Sequence, residues 1–136
     1  MNANVERCIQ AQTELFGNGR AELADDLVTP DCIDHTAPTE VPPGPDGIKA
    51  VVDWLHGTFG ELSYAVEDAF GSGDRVAVRC TVSGVLHGDL AGHPPNGRRF
   101  ENAQIHVYRL EDGRIAEHWG VRDDVTMMRQ LGLLGD

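Results

Sequence analysis

The chain has 136 residues, 40% hydrophobic and 24% charged, a composition typical of one globular domain (1–136) with a real core. Its formal net charge of -11 argues against nucleic acids and anionic membrane surfaces as partners. The three cysteines are widely spaced and form no CxxC motif, which predicts reduced thiols. The N-terminus does not resemble a signal peptide and there is no run of roughly 20 apolar residues, so we predict a cytoplasmic protein that does not span a membrane.

The first part of the chain has apolar residues at three- and four-residue intervals, which predicts helices at about 2–17, 20–27 and 47–59. Asp46 is a plausible N-cap for the third helix, whose apolar stripe includes Trp54. A short extended segment, 31–36, carries His35 at its end. The stiff Pro/Gly-rich loop that follows, 37–47, can form one lip of a pocket or be a simple connector.

The second part of the chain changes to strand patterns. We predict strands at 62–70, which contains Tyr64, and at 75–86, then a hairpin within 101–124 and a short helix at 124–131. Asp123 or Asp124 can cap this last helix. Helices followed by strands indicate an α+β fold, with helices on one face of a mainly antiparallel sheet.

The hairpin has the strongest local signal, because Asp112-Gly113 suits the type I′ turn, which needs φ > 0 at both central positions. This turn predicts a register in which Glu111 opposes Arg114 and His106 opposes Trp119. Since side chains alternate along a strand, one face is then predicted to carry Asn102, Gln104, His106, Tyr108, Glu117, Trp119 and Asp123. The opposite face is predicted to carry Ala103, Ile105, Val107, Arg109, Ala116, His118, Gly120 and Arg122.

So many polar groups beside an indole suggest the lining of a ligand pocket, although a half-exposed sheet face with Trp119 packed under a helix would give the same pattern. An aspartate against aromatic and apolar walls has a raised pKa, which suits Asp123 to general acid/base catalysis with His106 beside it. Asn102 and Gln104 can donate to an oxyanion. This pattern suits proton removal next to a carbonyl, or addition of water or an alcohol to an activated centre.

Other chemistries find little support in the sequence. The six histidines show no HExxH or HxH spacing, so we predict no metal. There is no GxGxxG, Walker or GxSxG motif, which removes the usual signals for nucleotides, flavins and a serine nucleophile. Schiff-base chemistry would depend on Lys49, the one lysine, which lies in a predicted helix. We therefore predict an enzyme without a cofactor.

The segment from Phe100 to Gly132 resembles the C-terminal signature of the SnoaL-like polyketide (ester) cyclases, within the nuclear transport factor 2-like superfamily. The matching positions are Arg109, Asp112-Gly113-Arg114-Ile115, Glu117-His118-Trp119, Asp123 and Gln130-Leu131-Gly132. The loop at 92–98 and the pair Asp34-His35 also resemble family features. The resemblance covers nearly the whole chain; its motifs are fairly specific for the family and poor for the substrate.

The resemblance implies a cone-shaped fold in which helices wrap a curved sheet around a deep pocket. Asp123 would be the acid/base aspartate for intramolecular aldol closure of a polyketide methyl ester or related small hydrophobic molecule, without metal or cofactor. His106 would assist it, and the pocket would be lined by His35, Asn102, Gln104, Trp119, Tyr64 and Trp54. The other sheet face, with Ile105, would pack against a second subunit in a homodimer or homotetramer.

The chain departs from the family at Gly84-Val85-Leu86-His87-Gly88, where many relatives read Gly-Thr-His-x-Gly. The displaced histidine changes face, which favours another substrate if that histidine orients the ligand. Relatives also assist hydroxylation, and similar folds hydrolyse or open epoxides or isomerise ketosteroids. A non-catalytic binding or scaffold protein is a further alternative: it predicts that Asp123 only caps a helix, that His106 is tied to neighbouring side chains and that no cavity opens.

Overall fold

The structure is a computed structural model that describes residues 2–134. These residues form four α-helices and five strands, and the last four strands follow one another directly. The helices are α1 (Ala3–Gln10), α2 (Ala24–Leu27), α3 (Pro45–Thr58) and α4 (Asp124–Gln130); α1 continues as a π-helix (Ala11–Gly17), and a 3-10 turn (Ala21–Leu23) precedes α2. The strands are β1 (Val28–Asp34), β2 (Phe59–Ser72), β3 (Arg75–Leu86), β4 (Arg99–Glu111) and β5 (Arg114–Arg122).

The strands form one curved sheet in the order β1-β5-β4-β3-β2. β1 runs parallel to β5 and every other neighbouring pair is antiparallel. The predicted α+β class is therefore confirmed. Within residues 2–134, no helix combines the length and apolar character needed to cross a membrane.

Several element boundaries differ from the prediction for local reasons. Helix α3 begins at Pro45, whose fixed φ suits a first helical position, and Gly44 occupies the N-cap with φ 82°, so Asp46 is not the cap. β1 begins at Val28 rather than at Asp31, because Val28 pairs with Ile115 of β5. The strand predicted at 75–86 has the observed bounds.

The core has two parts. The larger one lies between the inner face of the sheet and helices α1–α3, and includes Leu15, Leu27 and Val52. The smaller one, around Phe100 and Leu131, joins the far ends of β3 and β4 to α4. Residues of both parts line the pocket described below.

Candidate active site

The hairpin between β4 and β5 has the predicted turn but not the predicted register. Asp112 and Gly113 both have positive φ, and Leu110 pairs with Ile115 as expected. The next pair is Arg109 with Glu117, so Ala116 is an extra residue, a β-bulge. Ile115 and Ala116 are consequently both buried.

The bulge exchanges the two faces of β5. His118 pairs with Tyr108, Gly120 with His106 and Arg122 with Gln104, so their side chains lie on the inner face. The predicted face with Glu117, Trp119 and Asp123 beside His106 is therefore wrong. Its β4 members, Asn102, Gln104, His106 and Tyr108, do share the buried face.

A cavity of about 460 Å³ opens between this face, α3 and α4. One part is apolar and includes Trp54, Phe59, Leu62, Phe100 and Met127. The polar part is formed by Asp34, Thr36, Gln104, His106, His118, Arg122 and Asp124, with Tyr64 also in the wall. An apolar chamber with a few converging polar groups is the usual form of a small-molecule site.

Three side chains in the polar wall form a hydrogen-bonded relay, which we call the Asp34–His118–His106 relay. His118 Nδ1 lies 3.0 Å from Asp34 Oδ1, and His118 Nε2 lies 2.8 Å from His106 Nδ1. The side chains of His118 and Asp34 are only 8% and 3% exposed. Burial on this scale makes each of these bonds costly to break.

A row of amides continues the relay along β4 and sets the direction of its bonds. The Asn102 amide faces the Asp123 carbonyl at 3.4 Å, and a carbonyl can only accept. Asn102 Oδ1 then accepts from Gln104 Nε2 at 3.2 Å, which turns Gln104 Oε1 toward His106 Nε2 at 2.8 Å. The protonated nitrogen of His106 is therefore Nε2, as assigned from this network.

The same logic fixes the protons of His118. Because His106 Nδ1 is bare in this arrangement, His118 Nε2 must donate to it. His118 Nδ1 faces the Asp34 carboxylate, which only accepts when ionised. Both nitrogens of His118 then carry protons, so the proton-rich form of the relay is an imidazolium at His118 beside the Asp34 carboxylate.

The pKa directions agree with this distribution of charge. Burial, followed by the charges of His118 and Arg122, lowers the pKa of His106 to about 3. For Asp34, burial opposes ionisation, but the hydrogen bond and charge of His118 and the Thr36 amide outweigh it and lower the pKa below its ordinary value. Positive charge is thus disfavoured on His106, while Asp34 stays a carboxylate.

The aromatic surroundings hold the relay in place. His118 stacks against Tyr108, with ring centroids 4.9 Å apart, and against Phe16 at 6.0 Å. Tyr108 is fixed in turn by a hydrogen bond from buried Gln12 in the π-helix. A Cβ at Gly120 would lie 3.0 Å from His106 Nδ1, so the absence of a side chain at this position leaves space for the His106 ring.

Four of the predicted site residues lie in the cavity wall: His106, Gln104, Tyr64 and Trp54. Asn102 is buried beside them but acts on the cavity only through its bond to Gln104. The structure thus brings most of the predicted polar β4 side chains to one chamber, while their catalytic and binding roles stay predictions.

His35 and Trp119 lie outside the cavity, against the prediction. The bulge turns Trp119 to the outer face, where it stacks on His35 with ring centroids 4.8 Å apart and lies under the guanidinium of Arg75. His35 Nε2 also contacts Glu117 at 2.7 Å. Neither ring can line the chamber in this arrangement.

Asp123 is the N-cap of α4, and its predicted place in the pocket is wrong. Its carboxylate accepts from the Thr126 amide at 3.1 Å and from the Thr126 hydroxyl at 2.6 Å. These bonds lower the pKa of Asp123, the reverse of the predicted rise. The geometry gives no support to an acid/base role for this residue.

Sequence reasoning missed Asp34, His118 and Arg122. A signal for Asp34 was present: Cys32 is apolar and two residues away, so an inward Cys32 also turns Asp34 inward. The consecutive apolar residues Ile115 and Ala116 were a signal for the bulge, and hence for His118. The expectations of the non-catalytic alternative are met for the Asp123 cap and the tied His106, but the open cavity contradicts it.

At positions 84–88, where the sequence differs from the family pattern, the structure shows where Leu86 and His87 lie. Leu86 is fully buried in the smaller core part, whereas His87 is exposed just beyond β3 and contacts the carbonyl of His56 at 3.2 Å. His87 is not part of the cavity lining.

The family model for SnoaL-like polyketide cyclases matches residues 6–131. The chain belongs to this family. A nogalonic acid methyl ester cyclase from Streptomyces nogalater is 32% identical over 119 residues, which cover 86% of this chain and 89% of that one. The aklanonic acid methyl ester cyclase DauD from Streptomyces sp. (strain C5) is 28% identical over 130 residues, covering 91% of this chain and 79% of that one.

Solved structures agree with this assignment. TsrD from Streptomyces laurentii superposes with a TM-score of 0.87 at 29% identity, covering 98% of both chains. IdmH from Streptomyces antibioticus has a TM-score of 0.79 at 34% identity, covering 96% of this chain and 99% of that one. The protein is thus an enzyme of the SnoaL-like cyclase type with the fold of that family.

Proposed function

We propose that this enzyme closes a ring in a polyketide-like carbonyl compound by an intramolecular aldol reaction, with the Asp34–His118–His106 relay as its acid/base group. The observation that carries the proposal is the buried relay in the wall of a chamber of about 460 Å³. The methyl ester cyclases among its relatives suggest the class of substrate.

The base is the relay with one proton fewer. In that form His118 Nδ1–H donates to Asp34 and His106 Nδ1–H donates to His118 Nε2, so His106 Nε2 carries no proton. The Gln104 amide, whose Oε1 lies 2.8 Å from this nitrogen, turns away when the substrate binds, and Nε2 can then accept. An acidic methylene between two carbonyls gives its proton to His106 Nε2. The Nδ1 proton then moves to His118, and the positive charge comes to rest beside the Asp34 carboxylate, as it does in other histidines that a carboxylate orients.

Ring closure uses the same proton in reverse. The enolate carbon forms a bond to the carbon of a second carbonyl in the folded substrate, and the electron pair of that carbonyl moves to its oxygen. The new alkoxide takes the proton from His106 Nε2, and the Nδ1 proton returns from His118. The product has the mass of the substrate, and the relay ends in its starting form.

The apolar part of the chamber supports this chemistry. It can hold the carbon skeleton in a folded conformation, which brings the two reacting carbons together, and it excludes water, which strengthens the electrostatic interactions of the relay.

The test is conversion of aklanonic or nogalonic acid methyl ester, followed by chromatography with mass detection. In H2O we expect a product of unchanged mass, and in D2O we expect deuterium uptake at the acidic methylene that is faster than in a sample without enzyme. In His106→Gln and Asp34→Asn the product should disappear and the deuterium uptake should fall to the rate without enzyme, whereas His93→Gln, outside the cavity lining, should keep both signals. An inactive wild-type enzyme without deuterium uptake from either ester would overturn the proposal.

A further inference from the structure

Arg122 is a cation in the cavity wall without a strong partner. It ends β5 on the inner face, paired with Gln104, and its side chain is about one third exposed (34%). Its nearest carboxylate oxygen, on Asp124, is 3.7 Å away, beyond hydrogen-bond distance. Among the cavity-lining residues that the structure describes, Arg122 is the one arginine, and there is no lysine.

Tyr64 brings a second donor to the same chamber. Its ring is in the cavity wall, and within residues 2–134 its hydroxyl takes part in none of the side-chain hydrogen bonds. Burial raises the pKa of Tyr64, so the hydroxyl keeps its proton and remains a donor at neutral pH. Tyr64 is half-buried, so its hydroxyl is open to the chamber and can donate to a ligand or to water.

The two donors act on one region of the chamber. Arg122 and Tyr64 line the same chamber together with His106, and Arg122 pairs with Gln104, two residues before His106 on β4. In agreement, the guanidinium of Arg122 lowers the pKa of His106 and opposes the rise of the pKa of Tyr64. Asp34, the carboxylate of the relay, already accepts hydrogen bonds from His118 and from the Thr36 amide. The positive field of Arg122 is therefore opposed mainly by Asp124.

We propose that Arg122 and Tyr64 form a subsite for a planar anionic group with two oxygens, a carboxylate or the enolate of a 1,3-dicarbonyl, at the polar end of the chamber. The guanidinium suits such a group because it presents two parallel N–H donors, and the Tyr64 hydroxyl donates a further bond. The apolar part of the chamber holds an attached aromatic or polycyclic skeleton. The inference rests on the proposed function, since the bound enolate would form beside His106.

The test compares binding of 2-naphthoate and 2-naphthamide, a carboxylate and its neutral amide, by calorimetry and by quenching of tryptophan fluorescence, since Trp54 lines the chamber. We expect wild type to prefer the carboxylate about tenfold, the usual effect of one charge-assisted hydrogen bond. Arg122→Gln should remove this preference and Arg122→Lys should keep part of it. Tyr64→Phe should weaken carboxylate binding about fivefold, and Asp124→Asn should strengthen it, because a competing carboxylate is lost.

Arg129→Gln is the matched control, since it removes the same charge from an exposed arginine of α4 outside the cavity lining. It should leave both affinities within twofold of wild type. Equal affinity of wild type for the two probes, no binding of 2-naphthoate at millimolar concentration, or an unchanged preference in Arg122→Gln would overturn the subsite.

Failure of the subsite and failure of the proposed function have different signatures. His106→Gln should abolish ring closure but keep the preference for 2-naphthoate, because it leaves Arg122 and Tyr64 in place. Carboxylate preference without ring closure in wild type would leave the subsite standing and reject the cyclase proposal. Ring closure with no carboxylate preference would support the cyclase proposal and reject the subsite.

Discussion

Acidification should destabilise this protein through His106 at a higher pH than through the relay carboxylate, Asp34. Burial, followed by the charges of His118 and Arg122, lowers the pKa of His106 from 6.5 to about 3 in the folded protein. Below pH 6.5 the His106 side chain therefore binds a proton in the unfolded chain but stays neutral in the folded protein. Because the unfolded chain binds more protons, the free energy of unfolding falls as the pH falls toward 3.

The size of the effect follows from the shift. Between pH 6.5 and 4.5, two pH units correspond to about 2.7 kcal/mol at ~1.36 kcal/mol per unit, and the whole interval down to pH 3 to about 5 kcal/mol. Asp34, whose folded-state pKa is also lowered, contributes stability above its ordinary value of 3.8 and loses it only at lower pH. A measurement at pH 4.5 thus separates the histidine from the relay carboxylate.

The assay is urea denaturation followed by tryptophan fluorescence at pH 7 and pH 4.5. Wild type should lose about 2–3 kcal/mol more between the two pH values than His106→Gln, which has no group to protonate. His93→Gln, a half-buried histidine in the loop after β3, is the control and should behave like wild type. A wild-type loss no larger than that of His106→Gln would refute the reasoning from burial.

Three further predictions use the same protein. Asp34→Asn should lower turnover at least 100-fold and stability by about 2–3 kcal/mol, because His118 loses a buried acceptor; turnover within tenfold of wild type would contradict this role. Asp123→Ala should lower the melting temperature by a few degrees by removing the α4 cap, with turnover within threefold; a 100-fold loss would restore Asp123 as a catalytic candidate. Ile105→Lys should lower the native mass from an oligomer to a monomer if the outer face, where exposed Ile105 pairs with Val121, binds a second copy; an unchanged oligomer would exclude this face.

Much of the fold follows from local signals in the sequence. The alternation of β3 and the Asp112-Gly113 turn specify their elements because the chemistry that determines them is local: inward valines in one case and positive φ in the other. The start of β1 could not be predicted from local sequence, because it depends on parallel pairing with β5, which is distant along the chain.

The candidate site was harder to predict, because it also depends on how strands pair. On β4 the alternation from Asn102 to Tyr108 was correct, since no irregularity interrupts that strand's pairing with β3. On β5, Glu117-His118-Trp119 offered two possible inward sets, and the turn alone favoured the set with Trp119. The burial of Ile115 and Ala116 as neighbours decides for the other set, because a small apolar residue can occupy a bulge facing the core.

That single inserted residue determines the chemistry of the cavity. Without the bulge, His118 would face outward, Asp34 would be a buried carboxylate without its imidazole partner, and an indole would occupy the space beside His106. With it, the parallel pairing of Asp34 with His118 and the antiparallel pairing of Gly120 with His106 bring carboxylate and imidazoles into one hydrogen-bonded line. The acid/base group is therefore a product of strand register, assembled from three segments none of which carries the signal alone.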